Sequence, residues 1–147
     1  MDNMHFSRLI AYQSAKYKDK IVFNQRKTIQ SDWEKLSWEQ MESDVLCLSR
    51  QFLAVGVQPQ ARIGQFSNNM TENLVVDFAL YAIRGVVVPM YATSTAAQIE
   101  YIVRDSSIEI LFAGNQTQYE IALEAQKACP VLKTIVVFDE NVVLQSS

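Results

Sequence analysis

The short β-branched run Val86-Val87-Val88 is followed within a few residues by a polar loop, a capped helix and a second apolar run. That succession, over residues 85–114, leaves few architectures open. A run so short and apolar suits a strand buried on both faces. Pro89 has no N–H to give a sheet ladder and is expected at the strand's end. Thr95 and Gln98 stand at capping-box spacing, and Ile99, Ile102 and Val103 give the helix behind them one apolar face. Residues 108–113 read as the second strand, closed by Gly114. Strand, helix and strand in this order form the unit of a parallel sheet.

The rhythm extends in both directions, so that from about residue 61 the order reads βαβαβαβ. Residues 62–66 predict a strand. Asn69 and Glu72 have the spacing of a helix start, and residues 73–83 are apolar nearly all round, which predicts burial on more than one face. Asp77 interrupts that helix and reads as a surface acid. Asn115 and Gln118 start a helix over residues 117–128, broken before Pro130, and residues 134–138 form a last strand. Upstream, residues 6–17 fit an amphipathic helix and residues 21–23 a short strand. The polar stretch from Lys27 reads as a strand, a turn near Ser31 and Asp32, and a return strand through Lys35 and Leu36. Trp33 reads as a packing anchor there, with a place on a partner surface as the other reading. Ser37 and Gln40 start a long helix to about Val55, with Met41, Val45, Leu48, Phe52 and Leu53 apolar and Gly56 as its C-cap. The fold class is therefore α/β: a parallel β-sheet flanked by helices, preceded by an N-terminal helix and a small β-hairpin. At 147 residues the chain is expected to form a single domain with its own core.

A net charge of −3 without a basic cluster argues against nucleic acid as a partner. No apolar stretch reaches the length of a membrane span, and the N-terminus lacks a secretory signal's form. The cytoplasm is the expected location, with peripheral membrane contact and a homodimer left open. Cys47 and Cys129 form no C-x-x-C pair and read as reduced, packed residues. His5 is the only histidine, which argues against a His/Cys metal site and a Ser-His-Asp triad.

In a parallel sheet the loops at residues 67–69, 91–94 and 114–115 all fall at the carboxyl ends of the strands, where open α/β sheets bind ligands. Asn68, Asn69, Tyr91, Thr93 and Ser94 are the substrate-crevice candidates, with capping and turn chemistry as the plainer account of the same residues. No loop has the glycine spacing that wraps phosphates, and no carboxylate pair stands ready for acid/base work. No catalytic, cofactor-binding or metal residue is assigned in this chain.

The stretch VPMYATSTAAQIEYIVRDS, followed by ILFAG, resembles the adenylate-forming acyl-CoA synthetases, the AMP-binding enzymes. The form YATSTAAQ is most similar to the long-chain fatty-acid–CoA ligase branch. A related enzyme adenylating aryl or amino acids, or a non-catalytic α/β interaction module, are the rival readings. The resemblance runs from about Phe6 to Asp139. It implies the N-terminal subdomain of a larger enzyme, whose glycine-rich phosphate loop lies downstream. It implies ATP, Mg²⁺ and coenzyme A as cofactors of the parent, with none expected in this piece. The rest of the parent enzyme would be its partner, and a fatty acid the substrate. The carboxylate would attack the α-phosphate of ATP to give an acyl-adenylate and pyrophosphate, and coenzyme A thiol would then displace AMP. This piece alone is expected to be inactive. One departure is Arg84, where the family mostly carries a small residue.

Overall fold

The structure, a computed structural model, describes residues 5–26 and 30–145. The elements in chain order are α1 (Phe6–Tyr17), β1 (Ile21–Gln25), β2 (Glu34–Ser37), α2 (Trp38–Ala54), β3 (Arg62–Phe66) and α3 (Thr71–Ala82). Then come β4 (Val86–Met90), α4 (Ala96–Ser106), β5 (Ile110–Ala113), α5 (Gln116–Ala128) and β6 (Thr134–Val137). The chain divides into two compact units, Met1–Pro59 with Met70–Gly85, and Gln60–Asn69 with Val86–Ser147. Elements and fold class agree with the α/β pattern: a four-stranded parallel sheet, helices, an N-terminal helix and an antiparallel hairpin.

The first unit is built on helix packing. Ile10, Met41 and Val45 are buried, and Val22, Phe23, Leu36, Trp38, Leu74, Val75 and Phe78 pack against them. His5 caps α1, its Nδ1 accepting from the Ser7 N–H at 3.3 Å. In the hairpin Phe23 lies opposite Leu36 and Gln25 opposite Glu34. The outgoing strand expected from Lys27 begins at residues outside the described ones. Ser37 caps α2, its side chain accepting the Gln40 N–H at 3.2 Å. The buried stripe of α2 is Met41, Val45, Ser49 and Phe52. Ser49 is tolerated there because its hydroxyl donates to the Val45 carbonyl at 2.6 Å.

Several expectations in this unit are corrected. Leu53 is 59% exposed, because it falls off that stripe. Trp33 is no packing anchor: it is 57% exposed, with the Arg26 guanidinium 4.6 Å above its ring. Cys47 is exposed rather than packed; only Cys129 is buried. Asn69 does not cap α3. Met70 is the N-cap and has no side-chain bond to give. Gln25 of β1 does the work instead: its Oε1 accepts the Thr71 N–H at 2.8 Å, while its Nε2 donates to both Glu72 oxygens at 3.0 and 3.1 Å. Within α3, Val76, Ala79 and Leu80 are buried. Burial first, and then the Asp77 charge, push the Tyr81 phenol above its ordinary value.

The second unit holds the parallel sheet, in the order β4-β3-β5-β6. Its core joins Phe66, Met90, Ile99, Val103, Ile108, Leu111, Ala122, Ala125, Cys129 and Leu132. The residues come from one face of the sheet and from α4 and α5. Leu111 lies in this core, and its neighbour Phe112, facing the other way along the strand, stacks on Phe138 at 5.3 Å. β4 is an edge strand, so Val86, Val87 and Val88 are half-buried rather than enclosed on both faces. The edge also explains why Pro89 stands inside β4, opposite Gln65, and not at its end. The ladder of β5 begins at Ile110, although Ile108 is already buried.

Candidate functional site

The strand order places a switch point between β3 and β5. The chain leaves β3 for β4 on one side, and leaves β5 for β6 on the other. The loops after these two strands therefore diverge, and a crevice outside their carboxyl ends is the ligand position of open α/β sheets. At that point the Gly114 N–H donates to the Phe66 carbonyl at 3.0 Å, tying the ends of β5 and β3 together. A Cβ on Gly114 would lie 2.7 Å from Ser67 Cβ and 2.5 Å from Gln118 Oε1, so only glycine permits this approach.

The sequence candidates divide by burial. Tyr91, Thr93, Asn68 and Asn69 are exposed, and Tyr91 is 87% so. Ser94 is buried, and its N–H donates to the Tyr91 carbonyl at 2.9 Å, which closes residues 91–94 into a turn. Thr95 then caps α4 with a complete capping box: its side chain accepts the Gln98 N–H, and Gln98 Oε1 accepts the Thr95 N–H at 2.9 Å. Asn115 caps α5, Oδ1 accepting the Gln118 N–H at 3.0 Å. All three loops belong to the second unit, and all lie at the carboxyl edge of its sheet.

Gln118 was legible in the sequence only as part of a helix-start spacing. The structure gives it more to do. It is 3% exposed, and its Nε2 donates to the Ala92 carbonyl at 3.2 Å, inside the turn at residues 91–94. Its Oε1 is buried without a hydrogen-bond partner. The signal lay in α5, where Gln118, Ala122, Ala125 and Cys129 follow one buried stripe at helical spacing. A polar residue on such a stripe needs a partner from another element.

The residues of this edge do not fit a triphosphate or a metal ion by themselves. The loops at residues 67–69, 91–94 and 114–115 carry no Lys or Arg, and the buried side-chain atom left unmet among the described residues, Gln118 Oε1, is an acceptor, which repels phosphate oxygens. Among the described residues no group of three or more His, Cys, Asp or Glu could hold a metal ion. The edge can offer shape, hydroxyls and amides. Among the described residues no helix is long and apolar enough to cross a membrane.

A parallel sheet with such a switch point is the framework of an open α/β protein, and comparison with known proteins narrows the class. The model of the family described as AMP-binding enzyme matches residues 10–147, and the chain belongs to that family. "Long-chain-fatty-acid--CoA ligase 1" of Cavia porcellus is 37% identical over 111 residues, 73% of this chain and 16% of that protein. "Long-chain-fatty-acid--CoA ligase FadD15" of Mycobacterium tuberculosis is 26% identical over 110 residues, 75% of this chain and 18% of that protein. The crystal structure of a long-chain-fatty-acid-CoA ligase (FadD1) from Archaeoglobus fulgidus superposes with a TM-score of 0.81 at 15% identity. It covers 95% of this chain and 28% of that one, a likeness of fold. The chain thus spans less than a fifth of the two ligases compared by sequence.

Proposed function

We propose that this chain is the N-terminal stretch of a long-chain fatty-acid–CoA ligase. The parent would join a fatty acid to coenzyme A through an acyl-adenylate, with ATP cleaved to AMP and pyrophosphate. The observation that carries the reading is the family match over residues 10–147, together with relatives named as long-chain ligases. The share of this stretch in the reaction is to build one wall of the crevice. The turn at residues 91–94 and the loop holding Asn68 and Asn69 supply its polar lining. Phosphate, metal and proton chemistry belong to residues this stretch does not contain.

The test is ATP–pyrophosphate exchange driven by palmitate. The full product of the gene that carries these residues is expected to exchange, and residues 1–147 alone are expected to stay at background. A folded full product that ignores every fatty acid but exchanges with an aryl or amino acid would overturn the substrate assignment. Exchange clearly above background from residues 1–147 alone would overturn the division of labour.

A further inference from the structure

We propose that Gln118 is the positioning residue of the carboxyl edge: its side-chain amide fixes the turn at residues 91–94 over the switch point, and through that turn sets how the acyl substrate is seated. The second half rests on the ligase reading above. The first half stands on geometry alone.

The backbone of Gln118 is held by the Asn115 cap at 3.0 Å, which places its side chain at the first turn of α5. From there Nε2 reaches the Ala92 carbonyl, 26 residues upstream, at 3.2 Å. This is a bond from one loop-and-helix start to another, made at the edge where β3, β4 and β5 end. The amide has one workable orientation. Reversed, it would set Oε1 against the Ala92 carbonyl, two acceptors facing each other. In the observed orientation Oε1 lies over the bare Cα of Gly114 and is left without a donor. A side chain kept there for packing alone would be better served by an apolar residue, because a buried unpaired oxygen is a cost. The tether to Ala92 is what the amide supplies and an apolar residue cannot. Gly114 belongs to the same device, since a Cβ there would displace the oxygen at 2.5 Å.

Gln118→Met keeps the length of the side chain while removing both the tether and the unmet oxygen. Positioning predicts that the amides of residues 92–94 exchange with solvent at least about tenfold faster while those of β5 keep their rates and the unfolding midpoint does not fall. Gln118→Leu is the second apolar variant, and Gly114→Ala should loosen the same turn by pushing the amide away. In the full gene product, Gln118→Met is expected to raise KM for long fatty acids with kcat within about twofold. Unchanged exchange in the turn overturns the proposal, as does equal acceleration in turn and sheet, which would mark a purely structural residue. A fall in kcat with KM unmoved overturns the seating role. Exchange needs no substrate, so a wild-type product that adenylates nothing would sink the ligase reading while exchange still decides the tether.

Discussion

Arg84 adopts φ +64 immediately after α3, where the Gly85 N–H donates to the Leu80 carbonyl at 2.8 Å and the Arg84 N–H to that of Tyr81 at 3.4 Å. These are the two bonds of a Schellman ending, whose left-handed position favours glycine. Arg84 therefore stands where a side chain strains the backbone. Arg84→Gly is expected to stabilise the fold by about 1 kcal/mol. The check is the urea midpoint at unchanged slope. The end of α2 shows the reverse case: Gly56 holds φ +85, Val57 N–H bonds to the Phe52 carbonyl at 2.9 Å, and a Cβ on Gly56 would touch nothing within 4 Å. Gly56→Ala should cost about 1 kcal/mol through the backbone alone, measured the same way. The glycine after α2 was legible in the sequence. The strain at Arg84 was not legible in the sequence, because a residue's φ depends on how its helix ends. The exposure of Cys47, Trp33 and Leu53 was not legible, since an apolar letter does not say which side of its element faces the core.

Of the four helix starts that residue spacing announced, three hold, and the exception has a physical cause. Ser37, Thr95 and Asn115 each cap the helix their spacing announced. Such caps are local, so three or four letters suffice. For α3 the cap comes from Gln25, 46 residues before Thr71, and no local pattern can announce it. Gln25→Leu should leave the Thr71 N–H unmet and take the amide donor from Glu72, which keeps the Thr71 hydroxyl at 3.2 Å, costing about 1–2 kcal/mol. Urea unfolding would give the loss, and faster amide exchange at the start of α3 would place it. An equal loss from the exposed Asn24→Leu in the same strand would mean that strand pairing, and not the cap, was being measured. Strand order was likewise hidden. The apolar run of β4 looked like an interior strand, yet among the described residues it pairs only with β3, because pairing partners are decided by crossovers far longer than any motif.

For the molecule as a whole, alternation of strand and helix identified the α/β class, since βαβ units admit few other arrangements. The same alternation put three loops at one sheet edge. It could not say that Ser94 is buried while Tyr91 and Thr93 stand in solvent, and that division sharpens what each hydroxyl does. In the full gene product, on the proposed ligase reading, we expect Tyr91→Phe and Thr93→Ala to leave stability unchanged and to act only through substrate contact. Ser94 is buried, so Ser94→Ala should also lower the unfolding midpoint to the extent that its hydroxyl gives or takes a hydrogen bond in the core. The loss of one such bond is about 1–3 kcal/mol, or about ten- to a hundredfold in activity at most. None of the three hydroxyls has a histidine or other base near it in sequence, so none is set up as a nucleophile. The measurement is adenylation kinetics over a series of acyl lengths, alongside unfolding midpoints. The expected signature is a KM that changes with chain length. A loss of about ten-thousandfold in kcat, equal for every chain length and with folding intact, would place a reacting group on this turn and defeat the assignment of this edge to binding.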